Sequence, residues 1–331
     1  MAMTFRWAGR SVLVTGATGL LGSWLANELH RQGANVVTLM RDVVPHSNFF
    51  MLGLDKKISV ARGELESYHE VERALNEYEV EAVFHAGAQT IVGTANRSPL
   101  ATFEANVRGT WNLLEACRHS KMVRRVVVAS SDKAYGESKK LPYTEDMPLE
   151  GRHPYDVSKS CADLISTAYY RTYGMPVTIT RCGNIYGGGD LNFNRLVPGT
   201  IKSALAGEQP VIRSDGQYVR DYFYVLDAVE AYVALAEKMD DRALWGEAFN
   251  FGTEEKFTVL EIVKKLLALT KPSLKPQILN EASGEIREQY LSAKKAHKVL
   301  GWKAKYPLQK GLKETVAWYK NYLRGRKERA S

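Results

Sequence analysis

Up to Gly187, short apolar runs alternate with amphipathic stretches along the chain. Ser11–Gly16 (SVLVTG) is strand-length, rich in β-branched residues and ended by glycine. Leu20–Gln32 follows with helical spacing, Leu21, Leu25 and Leu29 falling on one stripe before Gly33. Runs of the first kind recur at Asn35–Met40, Ile58–Ala61, Ala82–His85, Arg125–Ala129 and Val177–Arg181. Stretches of the second kind fill Tyr68–Tyr78, Pro99–Arg118, Pro154–Tyr173, Asp227–Lys238 and Val259–Ala268. Near-continuous apolar strands separated by helices predict an α/β fold, a doubly wound parallel sheet covered on both faces. No repeat appears at the ~20–50-residue periods of solenoids.

After Gly187 the rhythm changes. Gly187–Pro198 (GGGDLNFNRLVP) is rich in glycine and asparagine, and isolated helices replace the regular alternation. The expected organisation is a sheet domain over 1–187 and a smaller C-terminal region over 188–331. Part of 220–255 could return to the first domain. The second region would cap the carboxyl ends of the strands, where open α/β sheets bind ligands.

Composition adds boundaries. With 45% hydrophobic and 25% charged residues the chain can bury a substantial core. Its apolar runs fall short of the ~20 residues that a spanning helix needs, so no membrane association is expected. Met1–Arg10 lacks an apolar core segment, so no secretory signal is expected either. Cys117, Cys161 and Cys182 are far apart and lack metal-ligand spacing, which points to reduced thiols, a cytoplasmic location and no metal site. The formal charge of +8 comes from scattered residues, with one basic cluster at Arg324, Arg326, Lys327 and Arg329. A solvated tail fits that distribution better than a nucleic-acid footprint, and a positive field suits a small anionic substrate.

Three segments carry chemistry. Gly16-Ala17-Thr18-Gly19-Leu20-Leu21-Gly22 places a GxxGxxG run between a strand and a helix, where main-chain N–H groups can meet a pyrophosphate. This is the fingerprint of a Rossmann dinucleotide-binding domain; turn glycines alone are the plainer reading. Tyr155 and Lys159 stand four apart on one helical face, and a nearby ammonium favours a phenolate able to do acid–base work. A surface tyrosine and lysine would show the same spacing. Ser130-Ser131-Asp132-Lys133 follows a strand directly, so it offers a hydroxyl, a carboxyl and an amine at a carboxyl strand end. A helix N-cap with solvated charges is the alternative there.

Together these segments resemble the extended short-chain dehydrogenase/reductase family of NAD-dependent nucleotide-sugar epimerases and dehydratases. The resemblance extends to Phe84–Gln89, Asn106–Thr110, Arg181–Asp190, Arg220–Val225, and Gly301–Leu312 with the aromatic helix that follows (Trp318, Tyr319, Tyr322). Within the family the chain is most similar to the CDP-glucose 4,6-dehydratases. Asp132 stands where 4-epimerases carry small residues, and Lys133 where dTDP-glucose dehydratases have glutamate. His153-Pro154-Tyr155 and residues 188–195 share that likeness.

The resemblance implies roles. Tyr155 takes the proton from the sugar O4 while hydride leaves C4 for the nicotinamide, Lys159 binds the nicotinamide ribose and lowers the tyrosine pKa, and Ser131 hydrogen-bonds O4. Asp132 protonates the departing 6-hydroxyl and Lys133 is the candidate base at C5. Cofactor contacts fall on Gly16, Thr18, Gly19, Leu20, Leu21, Gly22, Arg41, Asp42, Glu64, Leu65, Ala86, Ala88 and Asn106, besides Tyr155 and Lys159. Asp42 suits the ribose of NAD; Arg41 would suit the 2′-phosphate of NADP. Substrate contacts fall on Ser131, Asn184, Arg195, Arg220 and Arg287, arginine being suited to phosphate. His85 carries no catalytic assignment. A homodimer is implied, built on the helices Pro99–Arg118 and Pro154–Tyr173 with Ala162, Ile165 and Tyr169 at the interface. Alternatives are a 4-epimerase, a 4,6-dehydratase for another sugar nucleotide, and a non-catalytic NAD(P)-sensing protein.

Overall fold

The structure is a computed structural model that describes residues 5–281 and 286–328. Seven strands form its central sheet: β1 (Ser11–Thr15), β2 (Asn35–Met40), β3 (Ser59–Arg62), β4 (Ala82–His85), β5 (Arg125–Ala129), β6 (Val177–Cys182) and β7 (Ala248–Phe251). They lie in the order β7-β6-β5-β4-β1-β2-β3, and every pairing is parallel. The longer helices are α1 (Leu20–Arg31), α2 (Tyr68–Glu77), α3 (Gly109–His119), α4 (Pro154–Tyr173), α5 (Leu196–Ala206), α6 (Val225–Glu237), α7 (Val259–Thr270) and α8 (Leu308–Glu328).

Alternation along each strand divides the core in two. Val12, Val14, Phe84 and Val127 face α1 and α6, where they meet Leu25, Leu29, Ala231, Tyr232 and Leu235. Leu13, Val83, Val126 and Val128 face the opposite side and meet Val71, Leu75, Leu113 and Leu114 of α2 and α3. A third cluster joins Ile201, Ile262, Leu266, Leu312, Val316 and Tyr319 across α5, α7 and α8. It lies beyond the sheet, in the C-terminal half of the chain.

Three features differ from the sequence expectations. β7 (AFNF) has no β-branched residue and sits between glycines, so its pattern was silent. It forms because Phe249 and Phe251 bury fully in the α6-side core, Phe251 meeting Trp302 edge-on at 5.0 Å. The expected helix Pro99–Arg118 is interrupted: Pro99–Phe103 leads into a π-helical turn at Glu104–Arg108 before α3 begins. Finally, Ala162, Ile165 and Tyr169 turn inward. Ala162 is buried, Ile165 and Tyr169 pack on the α2–α3 core, and the Tyr169 hydroxyl donates to Glu115 at 3.0 Å. The large apolar side chains left exposed on these helices are Leu100, Trp111, Leu164 and Tyr173.

Among the described residues no helix is long and apolar enough to cross a membrane, and no group of three or more His, Cys, Asp or Glu could hold a metal ion. Arg329 lies outside the described residues, as do the side chains of Arg326 and Lys327.

Candidate active site

The carboxyl ends of β1 to β4 converge beside the glycine turn. Gly16 adopts a left-handed φ of +76°, and a side chain there would come within 2.8 Å of the Gly87 backbone. A Cβ on Gly22 would overlap the Gly16 carbonyl oxygen, so only glycine lets α1 start this close to β1. Gly19 precedes α1, which has no side-chain cap and no acidic residue in its first turn. Its first N–H groups and positive end are therefore available to an anion, with Thr18, Leu20 and Leu21 half-buried around them. This donor set fits a dinucleotide pyrophosphate.

At the end of β2, Arg41 and Asp42 are exposed and paired at 2.7 Å, and Glu66 stands 3.5 Å from the same guanidinium. After β3, the Glu64 N–H donates to the Glu70 carboxylate at 2.7 Å. Leu65 packs against Gly87 and Gly109, while Ala86 and Ala88 line the exit of β4 half-buried. His85 is a structural residue. It is fully enclosed between Thr15 (2.9 Å) and Thr110 (3.1 Å), and burial pulls its imidazole down to about 3, with Lys159 adding to the shift.

α4 starts at Pro154 and ends on Gly174, whose φ of +65° closes the helix. Tyr155 and Lys159 lie one turn apart on it, both buried. The Lys159 amine donates to the Ala129 carbonyl at 2.7 Å, and burial draws it down to about 8. Burial pushes the Tyr155 phenol up to about 12, opposed by the Arg195 cation and a hydrogen bond with Ser131. Arg195 thus adds a positive charge near the phenol besides Lys159 one turn along the helix. Asn106, carried on the π-helical turn, accepts from the Gln89 N–H at 2.7 Å and donates to the Gln89 carbonyl (3.0 Å) and the Ser158 hydroxyl (2.9 Å). It ties the loop after β4 to α4.

Ser131 caps a single 3-10 turn, Asp132–Tyr135, by accepting from the Lys133 N–H at 3.2 Å, and its hydroxyl donates to Asp132 at 3.0 Å. The cap is real, but the carboxyl is buried and the Lys133 side chain half-buried. Asp132 is 3% exposed, and burial raises its carboxyl above the usual range against the pull of Lys133. A buried network anchors the turn. Asp163 holds Arg181 through two hydrogen bonds of 2.7 and 2.9 Å, Arg181 donates to the Tyr135 hydroxyl at 2.8 Å, and that hydroxyl donates to Asn250 on β7 at 2.7 Å.

The expected substrate residues do not all gather. Arg195 precedes α5, pairs with Asp190 at 3.1 Å, and donates to Thr90. Arg220 is buried near enough to Asp132 to act on its carboxyl, and donates to the carbonyls of Val219 (2.8 Å) and Arg287 (3.1 Å). Asn184 is half-buried at the start of a short strand paired with Tyr222–Tyr224. Arg287 is exposed and lies 3.5 Å from Asp215. Two residues went unforeseen. Gln289 accepts from the Lys133 amine at 3.2 Å, and Asp221 is buried with its carboxyl pushed up to about 7. Nothing local in Glu288-Gln289-Tyr290-Leu291 says that it pairs or which residues it meets.

A family model described as GDP-mannose 4,6 dehydratase matches residues 13–315. The chain is 32% identical to a CDP-glucose 4,6-dehydratase of Salmonella typhimurium, over 96% of this chain and 93% of that protein. Its fold superposes on a dTDP-glucose 4,6-dehydratase of Bacillus anthracis in complex with NAD, with a TM-score of 0.83, 28% identity and coverage of 95% and 97%. A UDP-glucose 4-epimerase of Thermotoga maritima with UDP-glucose matches at a TM-score of 0.85, 29% identity, and 95% and 99% coverage.

Proposed function

Because the chain belongs to the GDP-mannose 4,6 dehydratase family, we propose that it is an NAD-dependent nucleotide-sugar 4,6-dehydratase, a lyase, acting on CDP-glucose. One observation carries the reading: the buried Asp132 carboxyl and the Lys133 amine stand on one capped turn beside Ser131 and Tyr155. The likeness to the Salmonella enzyme supports the nucleotide.

NAD, when bound, supplies a hydride acceptor for C4 and gives the hydride back at C6, so no outside reductant is consumed. Residues Gly16, Thr18, Gly19, Leu20, Leu21, Gly22, Asp42, Glu64, Leu65, Ala86, Ala88, Asn106 and Lys159 would hold it. Arg41 is already engaged by Asp42 and Glu66, which favours the ribose hydroxyls of NAD over a 2′-phosphate.

The protein's own groups move the protons. Tyr155 takes the O4 proton while Ser131 hydrogen-bonds O4. Once C4 is a ketone, Lys133 removes the acidified C5 proton, and the electron pair left behind forms the C5–C6 double bond as the 6-hydroxyl leaves. Asp132, whose carboxyl burial raises above its ordinary range, donates to that hydroxyl, which departs as water. Lys133 then returns a proton to C5. Asn184, Arg195, Arg220 and Arg287 are assigned to the pyrophosphate and sugar.

We assign the cofactor to residues 1–187 and the nucleotide sugar chiefly to 188–331, with α6 and β7 returning to the sheet side. A homodimer through the exposed Leu100, Trp111 and Leu164 and a cytoplasmic setting with reduced thiols complete the proposal; the three cysteines are free. The test is to incubate the protein with CDP-, dTDP-, UDP- and GDP-glucose and read 4-keto-sugar absorbance in alkali. CDP-glucose should turn over best. A C4 epimer as the product would overturn the dehydratase assignment, and preference for another nucleotide would overturn CDP. Scattering at micromolar concentration that gives the 37.1 kDa monomer would overturn the dimer.

A further inference from the structure

We propose that Gln289 is a positioning residue for the elimination step, its amide serving the Lys133 amine in both protonation states of that amine. The proposal rests on the reading of Lys133 as the C5 base.

The backbone around Gln289 is clamped from two sides. Glu288–Gln289 pairs in parallel with Val219–Arg220, with Gln289 in register with Arg220. Beyond it, the Tyr290 carbonyl accepts from the Tyr143 N–H at 3.0 Å, and the Ser292 N–H donates to the Tyr143 carbonyl at 2.9 Å. Tyr143 in turn stacks on Tyr135 of the Asp132–Tyr135 turn with ring centroids 4.8 Å apart. The turn that carries Lys133 and the strand that carries Gln289 are thus fixed to each other through a pair of aromatic rings.

Within that clamp the Gln289 side chain is fully buried, and its two ends are unequally used. Oε1 accepts from the Lys133 amine at 3.2 Å, whereas Nε2 has no partner among the described residues. A glutamine kept only to fill the core would have both ends satisfied. The unused end makes chemical sense next to a group that gains and loses a proton. An ammonium offers only donors and needs the amide oxygen; a neutral amine offers a lone pair and can accept from the amide nitrogen. The last torsion of glutamine is broad and roughly two-fold, so half a turn exchanges the two ends without moving the backbone. A carboxylate in this place would favour the ammonium alone, and an aliphatic side chain would hold neither form.

The charged groups facing Lys133 are Asp132 on its own turn and Asp156 on α4, with Arg220 on the facing strand acting through Asp132. Burial raises both carboxyls above their ordinary range. Gln289 is the uncharged member of this set.

The experiment uses the NAD-loaded protein with CDP-glucose and two variants, Gln289→Leu and Gln289→Glu, checking that each melts cooperatively and retains cofactor. Two events are followed: reduction of the bound nicotinamide, and exchange of the C5 hydrogen with deuterated water. With Gln289→Leu, C5 exchange and product release should slow about a hundredfold, as for a misplaced reacting group, with KM changed less than twofold and reduced nicotinamide accumulating. Gln289→Glu should restore exchange at high pH, its pH–rate profile displaced upward by a unit or so on the ordinary effect of a nearby opposite charge. Exchange at the wild-type rate with an unshifted profile in both variants would overturn the role of Gln289 alone. If Lys133→Met also exchanged C5 normally, the assignment of Lys133 as base would fall, and this proposal with it.

Discussion

The two walls of the proposed active site are built on different principles. Tyr155 and Lys159 come from one 20-residue helix, and their relation is fixed by the helical repeat within a single element. Lys133, Arg220 and Gln289 come from a one-turn helix and two strands of two residues each, separated by much of the chain. The first wall would survive considerable damage elsewhere, because the groups stay together as long as α4 is folded. The second exists only when Tyr135, Tyr143 and Asn250 have locked three distant segments together. Substitutions on the first wall should remove chemistry at constant geometry; on the second they should remove geometry as well.

The largest effect is expected from Tyr155→Phe, which deletes the hydroxyl and little volume. kcat should fall by about 10²–10⁴ with substrate affinity nearly unchanged; a variant keeping more than roughly a tenth of wild-type kcat would place the acid–base group elsewhere. Asp132→Asn and Lys133→Met come next, at the lower end of that range, on the order of 10² in product formation. Each should still reduce bound NAD on adding CDP-glucose, as nicotinamide absorbance that rises and stays. Near-normal 4-keto-6-deoxy product from both would dissolve the distinction between the walls.

Arg181→Met attacks the root of the second wall. It strands the buried Asp163 carboxylate and removes the donor to the Tyr135 hydroxyl, and should cost about 3–5 kcal/mol in denaturant unfolding. A smaller loss would mean that Asp163 finds water or a proton.

The mildest test is electrostatic. Burial raises the Asp221 carboxyl to about 7 in the fold, against about 4 unfolded, so the native state holds the extra proton across that window. Wild-type stability should therefore fall as pH rises from 4 to 7. Asp221→Asn has no proton to lose and should gain on wild type over the same interval, by on the order of 2–4 kcal/mol. Unfolding free energies at several pH values decide it: a difference constant with pH would show Asp221 ionised throughout.

The same division explains what the sequence could disclose. The glycine turn, six of the seven sheet strands and the Tyr155–Lys159 pair are local patterns, each complete within one strand or one helix, so they were readable directly. β7 was not, because two phenylalanines and an asparagine become a strand only when β6 offers an edge and Trp302 a surface. Gln289 escaped for the same reason, since its meaning lies in a partner 156 positions away. The arginines fell between these cases. Their residue type suggested phosphate, but only tertiary packing turned Arg195 toward Tyr155 and left Arg287 at the surface.

The π-helical turn at Glu104–Arg108 has an implication for lineage and length. A π turn holds one residue more than the α-helical turn it replaces, and commonly marks a function-bearing insertion. Asn106 sits within it, reaching both Gln89 and Ser158. Removing any single residue from the turn would restore an ordinary helix but swing Pro99–Phe103 by about 100° relative to α3. Leu100, now on the outside, would be carried around with it, and Asn106 would lose one of its two anchors. Chain length through this turn and the hydrogen bonds of Asn106 are therefore one inherited character, and a descendant that lost the residue would have to rebuild the loop after β4 as well.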